Sequence, residues 1–237
     1  MKRFDQRSTC LELMDTQTYS FEQFRDYLQE LERVNAWTLA YRPTLCWLER
    51  SLASMDSRHS LSILDVGSGN GDMLRHVWRW ARKRGIDVEL IGADLNPLSK
   101  KSAEQATPLN APIRFETANI FDLDPSRHFD FIISSLFTHH LTDAETVRFL
   151  RWMDERAMRG WFINDLHRHS LPYYFVKYVA RLLRLNPSVQ NDGPLSVARA
   201  FTAADWGRLL DEAGIHAART EINWFFPFRY CIACKKS

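Results

Sequence analysis

The feature that most constrains the fold is residues 63–72, which read ILDVGSGNGD. An apolar run ends at Asp65, and three glycines follow at alternate positions, Gly67, Gly69 and Gly71. Because glycine has no Cβ, it lets the backbone turn sharply and come close to a ligand. A helix that starts after this turn presents free N–H groups and a positive dipole end to that ligand. The pattern predicts a nucleotide-type site at the carboxyl end of a first parallel strand.

The spacing of the glycines indicates which ligand this site takes. In the dinucleotide fingerprint G-x-G-x-x-G, the third glycine would fall here on Asp72, and a carboxylate is a poor neighbour for a pyrophosphate. The loop therefore favours a ligand without phosphate. One helix and one strand later, Asp94 ends a second apolar run, where a carboxylate can accept both hydroxyls of a ribose. Residues 63–72 and 91–97 resemble motifs I and II of the class I S-adenosylmethionine-dependent methyltransferases.

This resemblance implies an α/β fold with a Rossmann-like seven-stranded sheet, an N-terminal helical lid and a helical insertion after strand five. It divides the chain into a lid (1–57) and a cofactor-binding methyltransferase domain (58–237) with a cap insertion at about 170–200. It implies S-adenosyl-L-methionine as cofactor and no metal. In the motif III region, Asn119 takes the place of an acid that accepts the adenine amino group, and Ile120 packs on the adenine face. The full set of expected cofactor-binding residues is Asp65, Gly67, Ser68, Gly69, Gly71, Asp94, Leu95, Asn119, Ile120, Ser134 and Ser135.

Composition narrows the class of partner. A formal charge of +2 over 237 residues is too small to indicate nucleic-acid binding by itself. No segment looks like a signal peptide or a membrane span, so we expect a cytoplasmic protein without stable membrane insertion. The C-x-x-C pair Cys231 and Cys234 lies in a strand-like tail, where we expect buried free thiols. The oligomeric state stays open, a homodimer included.

Capping signals place the helices. Ser20 with Gln23, Thr142 with Glu145 and Thr202 with Asp205 each have the spacing of a capping box. A second helix is expected over 34–52 with a kink near Pro43, a turn at 191–194, and final strands at 215–220 and 228–233. The N-terminal helices either fold over the cofactor, where Asn35, Trp37, Tyr41 and Arg42 reach the site, or simply pack on the sheet edge.

Two polar clusters follow strands four and five, whose carboxyl ends meet at the edge where ligands bind. The first contains His139 and His140, of which only one is expected to face the substrate, since adjacent side chains in extended chain point apart. The second, residues 164–169, contains His167 and Asp165. We expect His139 or His140 to be the general base, with His167 as the nearest competitor and Asp165 as the carboxylate that orients an imidazole. The expected substrate-binding residues are Tyr41, Arg42, Phe137, Arg168, His169 and Tyr173.

A histidine base restricts the acceptor. Full proton transfer from a phenol to an imidazole costs roughly 5 kcal/mol, from pKa values of about 10 and about 6.5, whereas an aliphatic hydroxyl costs more than twice that. The expected partner is therefore a small aromatic or apolar molecule. The histidine segments resemble those of bacterial methyltransferases that act on quinone precursors and phenolic polyketides, which implies O-methylation.

Other functions stay open. They are C-methylation of an activated ring and a non-catalytic cofactor-binding protein of the same fold. Methylation of RNA or protein is a further alternative. For N-methylation of adenine or glutamine, an Asn/Asp-Pro-Pro-Tyr-type tetrapeptide would be expected after strand four. Residues 134–137 read SSLF, which is not such a motif. We expect the apolar segment 171–185 to cap the acceptor pocket; an interfacial membrane helix and an ordinary amphipathic helix are the alternatives.

Overall fold

The computed structural model describes residues 4–53 and 60–236. The predicted boundary between residues 57 and 58 lies outside them. The described residues form one seven-stranded sheet with strand order β3-β2-β1-β4-β5-β7-β6, as predicted for the fold. The strands are β1 (Leu61–Val66), β2 (Val88–Asp94), β3 (Ile113–Thr117), β4 (Phe129–Ser135), β5 (Ala157–Leu166), β6 (Thr220–Phe225) and β7 (Arg229–Lys235).

The pairing of the strands brings the functional segments to one edge. Strands β1 to β5 are parallel, and β7 is antiparallel between β5 and β6. The register places Asp65 of β1 beside Gly92 of β2, and Ser135 of β4 beside Asn164 of β5. Every residue of β4 except the last is buried, as expected for a central parallel strand. The carboxyl ends of β1, β2, β4 and β5 therefore face a common space, and β7 enters it with its first residue, Arg229.

Helices cover both faces of the sheet. On one face α3, α4 and α5 pack against buried strand residues, and α6 and α9 pack on the other. A smaller apolar cluster joins α2 to α8 through Phe24, Tyr27, Leu28 and Val189. The described helices are α1 (Leu13–Thr16), α2 (Phe21–Trp37), α3 (Arg42–Leu52), α4 (Asp72–Arg84), α5 (Pro97–Ala106), α6 (Asp143–Arg156), α7 (Ser170–Leu182), α8 (Pro187–Arg199) and α9 (Ala203–Ala213).

Most local predictions agree with this arrangement. The three capping boxes are formed at the starts of α2, α6 and α9. The cysteines of the described chain are free; Cys231 and Cys234 are buried, and burial raises the pKa of their thiols to about 12 and about 11. Among the described helices, none combines the length and the apolar character that crossing a bilayer requires.

Three predicted elements differ. The helix expected over 34–52 is broken at residues 38–41, where Leu39 has a positive φ of 53°, so Pro43 lies in the first turn of a separate helix. The turn expected at 191–194 lies inside α8. There Asp192 accepts bonds from the N–H groups of Leu13 and Met14, so tertiary contacts override a local turn signal. The strand expected at 215–220 begins only at Thr220, because residues 217–219 form a 3₁₀ turn.

Candidate active site

A cavity of about 650 Å³ opens at the carboxyl edge of the sheet. Twelve of the predicted site residues line it, together with residues of α1, α2 and α6 that the sequence did not indicate. The predicted residues on its wall are Asp65, Gly67, Ser68, Gly69, Asp94, Leu95, Asn119, Ile120, Ser135, Tyr41, Phe137 and His140. This volume is typical of small-molecule sites.

The glycine loop forms the floor of the cavity, and its glycines have different reasons to be there. A Cβ on Gly67 would lie 2.6 Å from the ring of Phe137, and one on Gly71 would lie 2.5 Å from Phe115. A Cβ on Gly69 would meet only Leu28, at 3.9 Å. Gly67 and Gly71 are therefore required by packing, and Gly71 does not line the cavity. Gly69 borders open space that a ligand can approach.

Three carboxyl groups with raised pKa values lie beside the loop. Oδ1 of Asp65 is buried with no hydrogen-bond partner, and burial, then the charges of Asp72 and Asp94, raises the pKa of Asp65 well above its usual range. Burial also raises the pKa of Asp72, which accepts a bond from the Tyr41 hydroxyl at 2.6 Å, and that of Asp94. The two oxygens of Asp94 accept the N–H groups of Gly69 and Asn96, each at 2.9 Å. A bound cation would favour the ionised form of all three.

The segment after β3 and the end of β4 contribute further polar groups to the cavity. Asn119 accepts the N–H of Phe121 at 3.2 Å, and Ile120 is buried beside it. Two adjacent serines at the end of β4 divide in role. Ser134 donates to the carbonyl of Val66 at 2.9 Å and does not line the cavity. The hydroxyl of Ser135 does line it and is buried without a partner.

The N-terminal helices cover the cavity. Glu32 of α2 accepts bonds from Asn70 and from Arg75, both at 2.6 Å, which ties this helix to the glycine loop. Asn35 lines the cavity beside Tyr41. Trp37, the last residue of α2, and Arg42, the first residue of α3, are exposed and do not line it.

The two adjacent histidines face different surroundings. His140 lines the cavity, with Nδ1 3.2 Å from Oδ2 of Asp15 and Nε2 3.9 Å from Oε2 of Glu12. His139 is buried away from it; its Nδ1 lies 2.8 Å from Oδ1 of Asp165 and its Nε2 lies 3.7 Å from Oε1 of Glu12. Only one of the pair therefore lines the cavity, and it is His140.

The acids around the histidines have perturbed pKa values. Burial would raise the pKa of Asp165, but the charge and hydrogen bond of His139 and the Thr138 hydroxyl outweigh it and hold the pKa below its usual range. Burial would likewise raise the pKa of Asp15, but the hydrogen bonds and charges of His140 and Arg199 outweigh it and lower that pKa to about 2. At Glu12 burial wins and raises the pKa to about 7. The histidine cluster (Glu12, Asp15, His139 and His140) thus contains one carboxyl that exchanges its proton near neutrality.

The remaining predicted residues lie away from the cavity. Arg168 is buried and holds the carbonyls of Phe4 and Ala200 and the carboxylate of Asp205, a structural arrangement. His167 stacks edge-on against Tyr230, and burial, His169 and Arg168 lower its pKa. His169 caps α7 by accepting the N–H of Leu171, and Tyr173 packs against Phe4. These contacts hold the four side chains away from the cavity.

Helix α7, expected to cap the acceptor pocket, contributes no lining residue. It exposes Leu171, Phe175, Tyr178 and Leu182 instead. Of the residues that do line the cavity or support it, Glu12, Asp15 and Arg229 were missed. They lie far in sequence from the motifs they join, and no local pattern marks them.

Comparison with known proteins agrees with this geometry. Residues 63–158 match a family model described as a methyltransferase domain. Methyltransferase str3 of Strobilurus tenacellus is 30% identical over 122 residues, which are 50% of this chain and 40% of that protein. The chain therefore spans less than half the length of this curated relative.

Solved structures extend the similarity to the whole fold. Magnesium protoporphyrin IX methyltransferase from Synechocystis PCC 6803, with bound SAH, is 17% identical with a TM-score of 0.56, covering 93% of this chain and 89% of that one. The plantazolicin methyltransferase BpumL, with a pentazolic desmethylPZN analog and SAH, is 14% identical with a TM-score of 0.64, covering 92% and 97%. At these identities the likeness establishes the fold.

Proposed function

We propose that this chain is an S-adenosylmethionine-dependent methyltransferase and that it methylates the hydroxyl of a phenolic or quinone-type small molecule. The match of residues 63–158 to a methyltransferase domain and the fold of the chain agree with the sequence-based prediction. One observation carries the proposal: a histidine held by a carboxylate lies on the wall of the same cavity as the glycine loop and Asp94.

The wall residues fit this cofactor. S-adenosylmethionine, when bound, supplies an electrophilic methyl group on a sulfonium, and it also carries an ammonium group. Asp65, with its unpartnered buried oxygen, is the candidate partner for a positive group. Asp94 has lone pairs left that would accept the ribose hydroxyls, and Asn119 and Ile120 are the residues that would hold the adenine.

His140 is the proposed general base. With Nδ1 held by Asp15, its Nε2 is the atom that accepts the proton of an acceptor hydroxyl. Asp15 is ionised at neutral pH, since its pKa is about 2, so it stabilises the imidazolium that forms. His139 and Asp165 then act as the buried support of this base and do not touch the acceptor.

The rest of the wall suits an aromatic acceptor. Apolar side chains form a large part of the cavity wall, and an imidazole can deprotonate a phenol at a far smaller cost than an alcohol. The apolar side chains of the wall include Met14, Leu28, Leu31, Phe121, Phe137, Leu141 and Phe149.

The proposal is tested with methyl-labelled S-adenosylmethionine and a panel of alkylated phenols, hydroquinones and resorcinols, each paired with its cyclohexanol analogue. Label should pass to the phenol oxygen of at least one member and to none of the cyclohexanols. Label on a ring carbon would support C-methylation instead. Tight cofactor binding with no transfer to any phenol would favour a non-catalytic binding protein.

A further inference from the structure

Arg229 is a buried arginine on the wall of the cavity, and nothing assigned above uses it. It is the first residue of β7, and its side chain is 3% exposed. The other arginine that lines the cavity, Arg148, is exposed, and its guanidinium stacks on the ring of Phe121. Arg229 is thus the one positive side chain of the described cavity wall that solvent does not screen.

The guanidinium of Arg229 is poorly satisfied. Nη1 lies 3.5 Å from Oδ1 of Asn164 and Nη2 lies 3.4 Å from Oγ1 of Thr38, both at the outer limit of a hydrogen bond. Its Nε is buried with no partner. Over residues 4–53 and 60–236, no carboxylate forms an ion pair with it.

The charge of Asp165 does not replace such a pair. Asp165 attracts Arg229 through space and opposes the burial that lowers the pKa of the guanidinium. Both oxygens of Asp165 are already occupied, by His139, by Thr138 and by the N–H of Leu166. A buried guanidinium without a hydrogen-bonded anion is costly, so its position calls for a partner that arrives with a ligand.

We propose that Arg229 is the receptor for an oxyanion of the ligand that fills the cavity. The planar fork of a guanidinium matches a carboxylate, and the unpartnered hydroxyl of Ser135 lies on the same wall as a further donor. The oxyanion is either the carboxylate of the cofactor's methionine part or a carboxylate or phenolate of the acceptor. This inference rests on the proposed function, and binding measurements test it independently of turnover.

The cofactor source is tested with two ligands that differ in the amino-acid part. S-adenosylhomocysteine carries the carboxylate, and 5′-methylthioadenosine has the same nucleoside and a thioether without it. If Arg229 binds this carboxylate, Arg229→Met lowers the affinity for S-adenosylhomocysteine by roughly 10- to 100-fold and leaves the affinity for 5′-methylthioadenosine unchanged. Arg229→Lys, which keeps the charge but not the fork, should fall between.

The acceptor source is tested with benzoate in the presence of saturating S-adenosylhomocysteine, with benzyl alcohol as the neutral control. If Arg229 binds an acceptor oxyanion, Arg229→Met lowers the affinity for benzoate by a similar factor. The affinities for benzyl alcohol and for S-adenosylhomocysteine stay unchanged. Arg219→Met is the matched control, since Arg219 pairs with Asp154 away from the cavity. It should change none of these affinities.

A purely structural role gives a different result. The ligand-free Arg229→Met variant should melt no lower than the wild type, because it removes a buried charge that has no ion-pair partner. A lower melting temperature with unchanged affinities for both S-adenosylhomocysteine and benzoate would overturn the proposal, as would wild-type protein that binds neither. Loss of affinity in a protein that methylates no phenol would leave Arg229 as an oxyanion site and defeat only the proposed acceptor.

Discussion

The carboxylate wall of the cavity (Asp65, Asp72 and Asp94) and the histidine cluster are built in different ways. The carboxylate wall comes from one stretch of about thirty residues, and its side chains are positioned by the ends of β1 and β2 and by the start of α4. The histidine cluster joins residues more than a hundred positions apart: Asp15 meets His140, and Glu12 meets both histidines. The carboxylate wall consists of acids alone, whereas the histidine cluster combines acids and bases that can move a proton.

This contrast predicts that changes in the carboxylate wall affect cofactor binding, whereas changes in the histidine cluster affect turnover. A change in the carboxylate wall should weaken binding of the cofactor. A change at His140 should slow the reaction with the cofactor still bound, and a change at Glu12 should alter how stability depends on pH.

The largest expected effect belongs to His140. His140→Ala should lower kcat on a confirmed phenol by about 10²- to 10⁴-fold, the usual contribution of a positioned acid–base group, with unchanged affinity for S-adenosylhomocysteine. His128→Ala, an exposed histidine outside the cavity, is the control and should behave as wild type. A variant with near-normal kcat would mean that the acceptor is bound already ionised.

Glu12 should make folding stability fall as pH rises. The folded protein keeps the Glu12 proton up to a pKa of about 7, whereas the unfolded chain loses it near the ordinary value of 4.5. Between these values the folded state binds more protons, so the free energy of unfolding falls by about 3 kcal/mol from pH 4.5 to 8. Denaturant titrations should show this component in wild type and not in Glu12→Gln. Identical pH dependence in the two proteins would contradict it.

Asp94 is expected to matter for binding. Asp94→Ala removes a charge-assisted bond to the ribose, typically about 1.5–3 kcal/mol, so the Kd for S-adenosylhomocysteine should rise roughly 10- to 100-fold. Asp94→Asn, which keeps an oxygen to accept from the loop N–H groups, separates loss of the ligand bond from loosening of the loop. Asp87 is exposed and directly precedes the first residue of β2, so Asp87→Ala should leave the Kd unchanged. Equal affinities in wild type and Asp94→Ala would remove Asp94 from the site.

The smallest expected effect is a proton released on binding. The pKa values of Asp65 and Asp94 are raised in the free protein, and a cationic ligand favours their ionised forms. Binding of S-adenosylmethionine should therefore release a fraction of a proton and tighten as pH rises. Calorimetry in two buffers of different ionisation enthalpy measures this, and Asp65→Asn should reduce it. Proton uptake would contradict the assignment.

The same contrast explains what the sequence could predict. Strand periodicity, capping boxes and the glycine spacing are local signals, so the sheet and most helices were predicted with bounds close to those observed. Of the carboxylate wall, Asp65 and Asp94 were predicted as site residues and Asp72 was not. Only tertiary contacts decide the rest. That His140 lies on the cavity and His139 does not depends on Asp165 and on Glu12, and the helical state of residues 191–194 depends on the contact of Asp192 with Leu13. No sequence pattern marks Arg229, because what distinguishes it is that no carboxylate of the described residues forms an ion pair with it.

The most direct test of the account is a calorimetric titration of the wild-type protein with S-adenosylhomocysteine, with adenosine monophosphate and NAD as comparison ligands. We predict a saturable one-to-one complex with S-adenosylhomocysteine and much weaker binding of both phosphate-bearing nucleotides, because the carboxylate wall opposes phosphate. No saturable binding of S-adenosylhomocysteine, or tighter binding of either nucleotide, would contradict the assignment of the cavity.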